Sequence, residues 1–213
     1  MTGSSSVGIE ELERRLRGGD TQALAELFGR DRERLWRVVE FRLAEPLRGR
    51  LGPDDVLQEA FLAASQRLKH YAASPATSPF MWLRMIVNQT LIDLHRQHLG
   101  VQKRDAAREV SVDGAPYVQA TSASVAIQLV GVFTSPSGAA ARADVLGLVQ
   151  AAIEQMDPID REVLALRHFE ELTNSEVAEA PGIEQKAASI RYVRALRRLK
   201  EILAQVPDLA RPT

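Results

Sequence analysis

"LTNSEVAEAPGIEQKAASIRYVRALRRLKEIL", residues 172–203, changes character halfway along its length. Its first half carries acids and almost no base, whereas Lys186 to Lys200 contains six bases and no acid. Thr173 and Glu176 have the spacing of a capping box, and Gly182 permits a tight turn before the basic half. A short helix, a glycine turn and a basic helix are the layout of a helix-turn-helix, so this stretch predicts that motif.

The charge of the surrounding sequence singles out the basic half as a binding face. From Asp144 to Gln185 the chain holds ten acids and only two bases, and the net charge of all 213 residues is -1. A polyanion would be repelled by most of this region and attracted by the basic helix, which is predicted from about Glu184 to Leu203. Because Lys186–Lys200 contains no acid, ion pairs within that segment cannot neutralise it. We therefore expect contact with DNA; a solvated amphipathic helix is the alternative.

The expected contacts follow from how such a helix binds a duplex. It lies in the major groove with its N-terminal residues facing the base edges. Base contacts are expected from its first two turns: Glu184, Gln185, Lys186, Ser189 and Arg191, of which the last can also reach a phosphate. Phosphate contacts, which position a protein without specifying the sequence, are expected from the cations further along: Arg194, Arg197, Arg198 and Lys200.

The composition of the whole chain favours helices. Apolar residues make up 45% of the sequence and aromatic residues only 5%, and β-branched runs are scarce. The absence of cysteine excludes disulfides and thiolate metal sites and fits a reducing cytoplasm. No apolar run approaches the roughly 20 residues that a membrane-spanning helix needs, and the first residues lack the pattern of a secretory signal.

The apolar periodicity predicts an all-α fold with two small helical domains joined by a long linker. The linker is rich in Gly, Ser, Ala and Pro and includes a short helical pattern around "SVAIQLVGVF". The predicted segments are a partly disordered N-terminal tip at 1–19, a first domain at 20–99, the linker at 100–135, a second domain at 136–205 and a tail at 206–213.

Three stretches together resemble one protein family. "DDVLQEAFLAA" at residues 54–64 looks like a "D-x-x-Q-E-x-F" element, and "WLRMIVNQTLIDLHR" at 82–96 looks like a "W-L-x-x-I-A-x-N-x-x-x-D-x-x-R" helix. "MDPIDREVLALRHFEELTNSEVAEAPGI" precedes the basic helix and looks like the fourth conserved region of the same family. The chain thus resembles the extracytoplasmic-function (ECF) sigma factors of the sigma-70 family over about residues 20–99 and 140–203.

The resemblance implies a function in transcription initiation and no enzymatic activity or cofactor of its own. Such a sigma factor binds bacterial core RNA polymerase, recognises the promoter -35 element with its second domain, and opens the -10 element with its first. The implied partners are promoter DNA, the clamp helices of the polymerase's largest subunit, the flap of the second-largest subunit, and an anti-sigma factor. The linker would run through the polymerase cleft. The implied polymerase contacts are Asp55, Gln58, Glu59 and Phe61.

Residues for holding a melted strand lie at the junction of the two motifs. Single-stranded DNA is bound by cations along a groove and by planar side chains that stack on bases. The candidates are Lys69, His70, Tyr71, Ser74, Phe80, Trp82, Arg84 and Asn88. By resemblance the loop from Ala72 to Ser78 receives an extruded base. We expect Tyr71 to stack on a base and Trp82 mainly to pack in the core.

Two other classes of function remain open at this point. A stand-alone helix-turn-helix regulator would bind duplex DNA as a dimer, without polymerase. An all-helical adaptor would use its basic helix to bind an acidic protein. The sequence contains no phosphate-binding loop and no nucleophile elbow, and we expect no metal site.

Overall fold

The computed structural model describes residues 3–73, 78–98, 120–133 and 139–204. In these ranges the chain forms ten α-helices and no strand, which confirms the all-α prediction. The helices are α1 (Gly3–Arg17), α2 (Thr21–Arg42), α3 (Glu45–Arg48), α4 (Pro53–Ala73), α5 (Pro79–His98), α6 (Ser122–Phe133), α7 (Ala139–Glu154), α8 (Pro158–His168), α9 (Asn174–Glu179) and α10 (Gln185–Ala204). None of the described helices is both long and apolar enough to span a membrane.

The chain divides into two compact units, Met1–Val118 and Gln119–Thr213. In the first unit α2, α4 and α5 pack against one another. α2 begins after Asp20, whose carboxylate accepts hydrogen bonds from the backbone of Gln22 and Ala23. The first core is built from leucines of α2, small and branched residues of α4 and the apolar side of α5, among them Leu24, Leu27, Leu35, Val56, Ala60, Leu83 and Ile86.

The N-terminal segment contains a helix that the sequence pattern did not predict. α1 occupies most of the segment expected to be a partly disordered tip, and it packs against α2 and α4. Leu16 is fully buried, and Gly19 turns the chain with a φ of 80°. Arg15 donates to the carboxylate of Asp20 at 2.8 Å. Arg15 also donates to Glu26 of α2 at 3.4 Å, so a buried leucine and two ion pairs of Arg15 hold the C-terminal end of α1.

α6 lies within the segment expected to be a linker, and its position matches the short helical pattern seen there. It packs against α7, with Val125, Ala126, Leu129 and Val130 buried. Ala120, two residues before α6, is fixed to α8. The N–H of Ala120 donates to the buried carboxylate of Glu162, and Arg161 donates to the carbonyl of Ala120 at 2.9 Å. Residues 120–133 of the expected linker are therefore packed into the second unit, while residues 100–119 and 134–135 lie outside the described residues.

The second unit is organised around α8, α9 and α10. Asp157 caps α8 by accepting from the N–H groups of Ile159 and Asp160, and Pro158 occupies the first turn. The core contains Ile153 of α7, an apolar run on α8, and Leu172 between α8 and α9. Val163, Leu164, Leu166 and Leu172 are fully buried. α10 packs against α7, α8 and α9, which fixes the direction of the basic helix.

Candidate nucleic-acid and polymerase interfaces

The turn between α9 and α10 has the geometry that the sequence predicts. The Thr173 side chain accepts from the N–H of Glu176, and the Glu176 carboxylate accepts from the N–H of Thr173 at 2.9 Å, which completes the capping box. Gly182 has a φ of 68°, in the left-handed region that glycine tolerates. The N–H of Ile183 donates to the carbonyl of Ala178 at 2.9 Å and closes the turn.

α10 has a narrow buried face and a broad outward face. Ala188, Ala195, Leu199 and Ile202 are buried, and two of these are alanines, so α10 approaches its neighbours closely. The exposed residues of α10, together with the exposed residue just before it, are Glu184, Gln185, Lys186, Ser189, Ile190, Val193, Arg194, Leu196, Arg197, Lys200, Glu201 and Ala204. A helix held by three neighbours and open on one side can enter a groove without rearranging.

Two of the predicted DNA-binding arginines are engaged within the protein. Arg191 donates from Nη1 to Asp160 Oδ1 at 2.8 Å and to Asp157 Oδ1 at 3.2 Å. Arg194 donates to both carboxylate oxygens of Asp160. The hydrogen bond and the charge of Asp160 raise the pKa of Arg194 above its ordinary value. The Asp160 side chain is only 4% exposed, so its charge is compensated mainly by these two arginines.

The remaining cations of α10 differ in their engagement. Arg198 donates to Glu201 at 3.2 Å and to Gln155 at 3.3 Å. Among the described residues, Lys186, Arg197 and Lys200 have no ion-pair partner. These three exposed cations are therefore the ones most available to a polyanion, and we call them the free cations of α10.

The sequence did not indicate that Asp157 and Asp160 contact the arginines of α10. Asp157 was predicted to be a helix cap, which is correct, and Asp160 was given no role. The acids lie 31 to 34 residues before their arginine partners, and a separation of that length leaves no periodic signal. The predicted base contacts Glu184, Gln185 and Lys186 are exposed. Ser189 is exposed as well, and its hydroxyl donates to the carbonyl of Gln185 at 3.0 Å.

The first unit places the residues predicted to hold a melted strand in two different environments. Lys69 and His70 are exposed at the end of α4. Tyr71 and Trp82 are 4% and 5% exposed, and their rings stack with centroids 4.3 Å apart. Burial of Trp82 agrees with the expected core role. Tyr71 faces Trp82 and is not open to a base in this structure.

Three more of those candidates are buried on α5. The guanidinium of Arg34 on α2 lies 3.6 Å from the ring centroid of Phe80, a cation–π contact. Arg84 and Asn88 are 2% and 1% exposed. Both polar atoms of the Asn88 side chain are buried without a hydrogen-bond partner among the described residues. The candidate Ser74 and the centre of the loop from Ala72 to Ser78 lie outside the described residues.

A groove of about 600 Å³ lies between α4, α5 and the segment that follows α3. Three of the four predicted polymerase contacts, Asp55, Gln58 and Glu59, line it. Arg50, Asp93 and Gln97 also line this groove, and no sequence pattern connected them with polymerase binding. The Asp55 carboxylate also accepts from the N–H of Gly52 at 2.8 Å, which holds the N-terminal end of α4.

The fourth predicted polymerase contact has a packing role. Phe61 is half-buried and lies edge-on to Phe28 of α2, with ring centroids 5.2 Å apart. The charged residues that line the groove are three acids, Asp55, Glu59 and Asp93, and one base, Arg50. An aromatic pair between α2 and α4 supports the helix that carries two of these acids.

A helical bundle with an acidic groove and a separate unit with a helix-turn-helix define a two-domain protein of the DNA-binding class. The family model described as Sigma-70 region 2 matches residues 27–99, and that described as Sigma-70, region 4 matches residues 152–201. The two matches together cover more than half of the chain. The chain belongs to the sigma-70 family, which confirms the family that the sequence motifs resemble.

Solved structures resemble the fold of this chain. One of them is entitled "Structure of CnrH in complex with the cytosolic domain of CnrY"; it has 22% sequence identity and a TM-score of 0.51. The match covers 92% of this chain and 97% of the other. No curated protein matches the sequence. The likeness to CnrH supports the two-unit all-α fold.

Proposed function

We propose that this chain is a sigma factor that binds bacterial core RNA polymerase, recognises the promoter -35 and -10 elements, and directs DNA-templated initiation. It supplies recognition and strand opening, while the polymerase supplies the chemistry. The observation that carries the proposal is the outward face of α10. In a chain whose net charge is -1, the helix after the tight turn exposes three cations that no acid of the described residues engages.

The groove of the first unit supports the polymerase partner. Asp55 and Glu59 lie one turn apart on α4, and together with Asp93 on α5 they outnumber Arg50, the base that lines the groove. A groove of this shape and charge suits a helical partner that presents basic residues. In the proposed function that partner is the clamp helices of the largest subunit. The flap of the second-largest subunit would contact the second unit.

The -10 element would be opened at the junction of α4 and α5. Lys69 and His70 are exposed there, beside the buried stack of Tyr71 on Trp82. The exposed side chain of Lys69 can attract the phosphates of a melted strand. The buried, stacked rings of Tyr71 and Trp82 support the end of the loop. Phe80 and Arg84 would support this junction from within α5, and the amide of Asn88, buried without a partner in the described ranges, would contribute when the strand opens.

A protein that controls this chain is a further proposed partner. The sequence resemblance implies an anti-sigma factor, and CnrH was solved with another protein, the cytosolic domain of CnrY. A partner that covers the groove or α10 would compete with polymerase or with DNA. Because core polymerase is the proposed target, we place the chain in the cytoplasm.

Transcription in a purified system tests the proposal. Core polymerase, the full chain and fragmented genomic DNA of the source organism are combined, and the RNA 5′ ends are sequenced. We expect discrete start sites with shared sequences near -35 and -10 that are absent with core polymerase alone. Tight duplex binding by the chain alone, without specific transcripts, would instead identify a stand-alone dimeric regulator and overturn the proposal.

A further inference from the structure

Two branched apolar side chains lie more than half exposed on the outward face of α10, and Leu196, three residues after the second of them, is 37% exposed. Ile190 is 58% exposed and Val193 is 56% exposed. They are three residues apart on one helix, so they are neighbours on its surface, separated by about 4.5 Å along the axis. Single exposed apolar residues are ordinary on protein surfaces. A pair in the N-terminal half of a helix proposed to enter DNA calls for a binding partner with an apolar group.

The charges around this apolar pair indicate what that partner is. Lys186 lies one turn before Ile190, and Arg197 lies one turn after Val193. Both are free cations of α10. An apolar protein surface that covered the pair would also remove the two cations from water without neutralising them, which is costly. A DNA groove offers apolar base edges between two rows of phosphates, so charge complementarity favours a duplex.

The chemical groups exposed in the major groove indicate which base the apolar pair contacts. There the 5-methyl group of thymine is the apolar feature that side chains recognise. Ile190 and Val193 are the sixth and ninth residues of α10, close to its N-terminal end. Their polar neighbours are committed elsewhere, because Ser189 donates its hydroxyl to Gln185 and both Arg191 and Arg194 donate to Asp160.

We propose that Ile190 and Val193 recognise thymine 5-methyl groups in the -35 element, and that they make this chain selective for thymine at the positions they face. The proposal rests on the proposed function, because it assumes that α10 enters the major groove of a promoter duplex. Lys186 and Arg197 hold the helix at the flanking phosphates or purines.

Removal of single methyl groups from the DNA tests this directly. Promoter duplexes are first selected from a random pool with the holoenzyme. Each thymine of the -35 region is then replaced by uracil, which deletes only the methyl group. At the contacted positions we expect about a fourfold loss of affinity for each methyl group, the value of one buried methylene. Thymines outside the contact serve as internal controls and should show no change.

Substitutions in the protein identify the side chains responsible. The double variant Ile190→Ala, Val193→Ala should bind thymine and uracil duplexes equally while its salt dependence is unchanged, since the free cations remain. Leu148→Ala removes an exposed apolar side chain from α7 and should retain the full preference for thymine.

The outcomes separate this inference from the proposed function. Selective promoter binding with equal affinity for thymine and uracil at every position would overturn the inference and leave the function intact. A thymine preference that survives the double substitution would also overturn it. If the double variant no longer binds a protein partner but keeps its promoter selectivity, the apolar pair belongs to a protein-binding surface and the inference is overturned. A holoenzyme that selects no duplex at all would instead defeat the proposed function.

Discussion

Asp160 of α8 holds Arg194 of α10 through both carboxylate oxygens, with Arg194 Nη2 2.6 Å from Oδ1. The same Oδ1 accepts from Arg191 at 2.8 Å. One buried acid therefore fixes two arginines of the helix proposed to bind the -35 element. We therefore propose a division of labour on α10, in which Arg191 and Arg194 orient the helix and the free cations contact DNA.

Asp160→Ala should destabilise the second unit. The change removes the hydrogen bonds from both arginines, and a bond between charged groups, such as that from the half-buried Arg191, contributes about 2 kcal/mol to stability. Since the arginines are partly exposed, water will compensate some of that loss. Urea unfolding measures the free energy, and Glu154→Ala, which removes an exposed acid from α7, is the matched control. Equal unfolding free energies for Asp160→Ala and the control would show that the contact does not hold α10.

Arg197→Ala should reduce the dependence of promoter binding on salt. Removal of one phosphate contact lowers the slope of log K against log salt by about 0.9. Arg194→Ala should change the slope less, because its guanidinium is engaged by Asp160. Titrations of holoenzyme on one duplex between low and moderate salt give both slopes. A larger change for Arg194→Ala than for Arg197→Ala would contradict the division of labour.

Changing both Asp55 and Gln58 to Ala should weaken the complex with core polymerase. The two side chains line the acidic groove, and loss of a well-placed interface contact costs more than about 1 kcal/mol, or at least about fivefold in affinity. Competition with the unchanged chain for core polymerase measures the effect. Glu10→Ala removes an exposed acid from α1 and should bind normally. If the double variant competes equally well, the groove is not the polymerase site.

Asn88→Leu should leave the free chain as stable as before, or make it more stable. The amide is buried without a partner among the described residues, and replacing an unsatisfied polar group with an apolar one of similar size removes a desolvation cost. If Asn88 contributes to strand opening, the same variant should form fewer open complexes at promoters. Thermal unfolding and permanganate reactivity of the -10 thymines give the two measurements. A marked loss of stability would mean that Asn88 has a structural role in the free chain.

Local patterns in the sequence predicted the helix-turn-helix well. The capping box of Thr173 and Glu176, the turn at Gly182 and the cap at Asp157 are all set by residues within a few positions of one another. The acidic face of α4 was also visible, because Asp55, Gln58 and Glu59 recur at helical spacing. Such features are determined by adjacent residues, so one sequence is enough to identify them.

Features that depend on distant residues were not predictable in the same way. No residue near Arg191 or Arg194 in the sequence indicates their contact with Asp160, so both arginines were predicted only to contact DNA. Tyr71 was expected to stack on a base, and its ring is covered by Trp82, from the next helix. α6 was expected within a linker, because the apolar periodicity of the sequence does not reveal that α6 packs against α7.

The central claim is that α10 lies on the -35 duplex in the holoenzyme. Because the chain contains no cysteine, Ser189→Cys provides a single exposed thiol on α10 for an iron chelate that cleaves nearby DNA. Reconstituted with core polymerase on a selected promoter, it should cut the duplex around -35, while His70→Cys at the end of α4 should cut near -10. Absence of cleavage around -35 from Ser189→Cys, in a complex that still initiates at the correct site, would contradict the account.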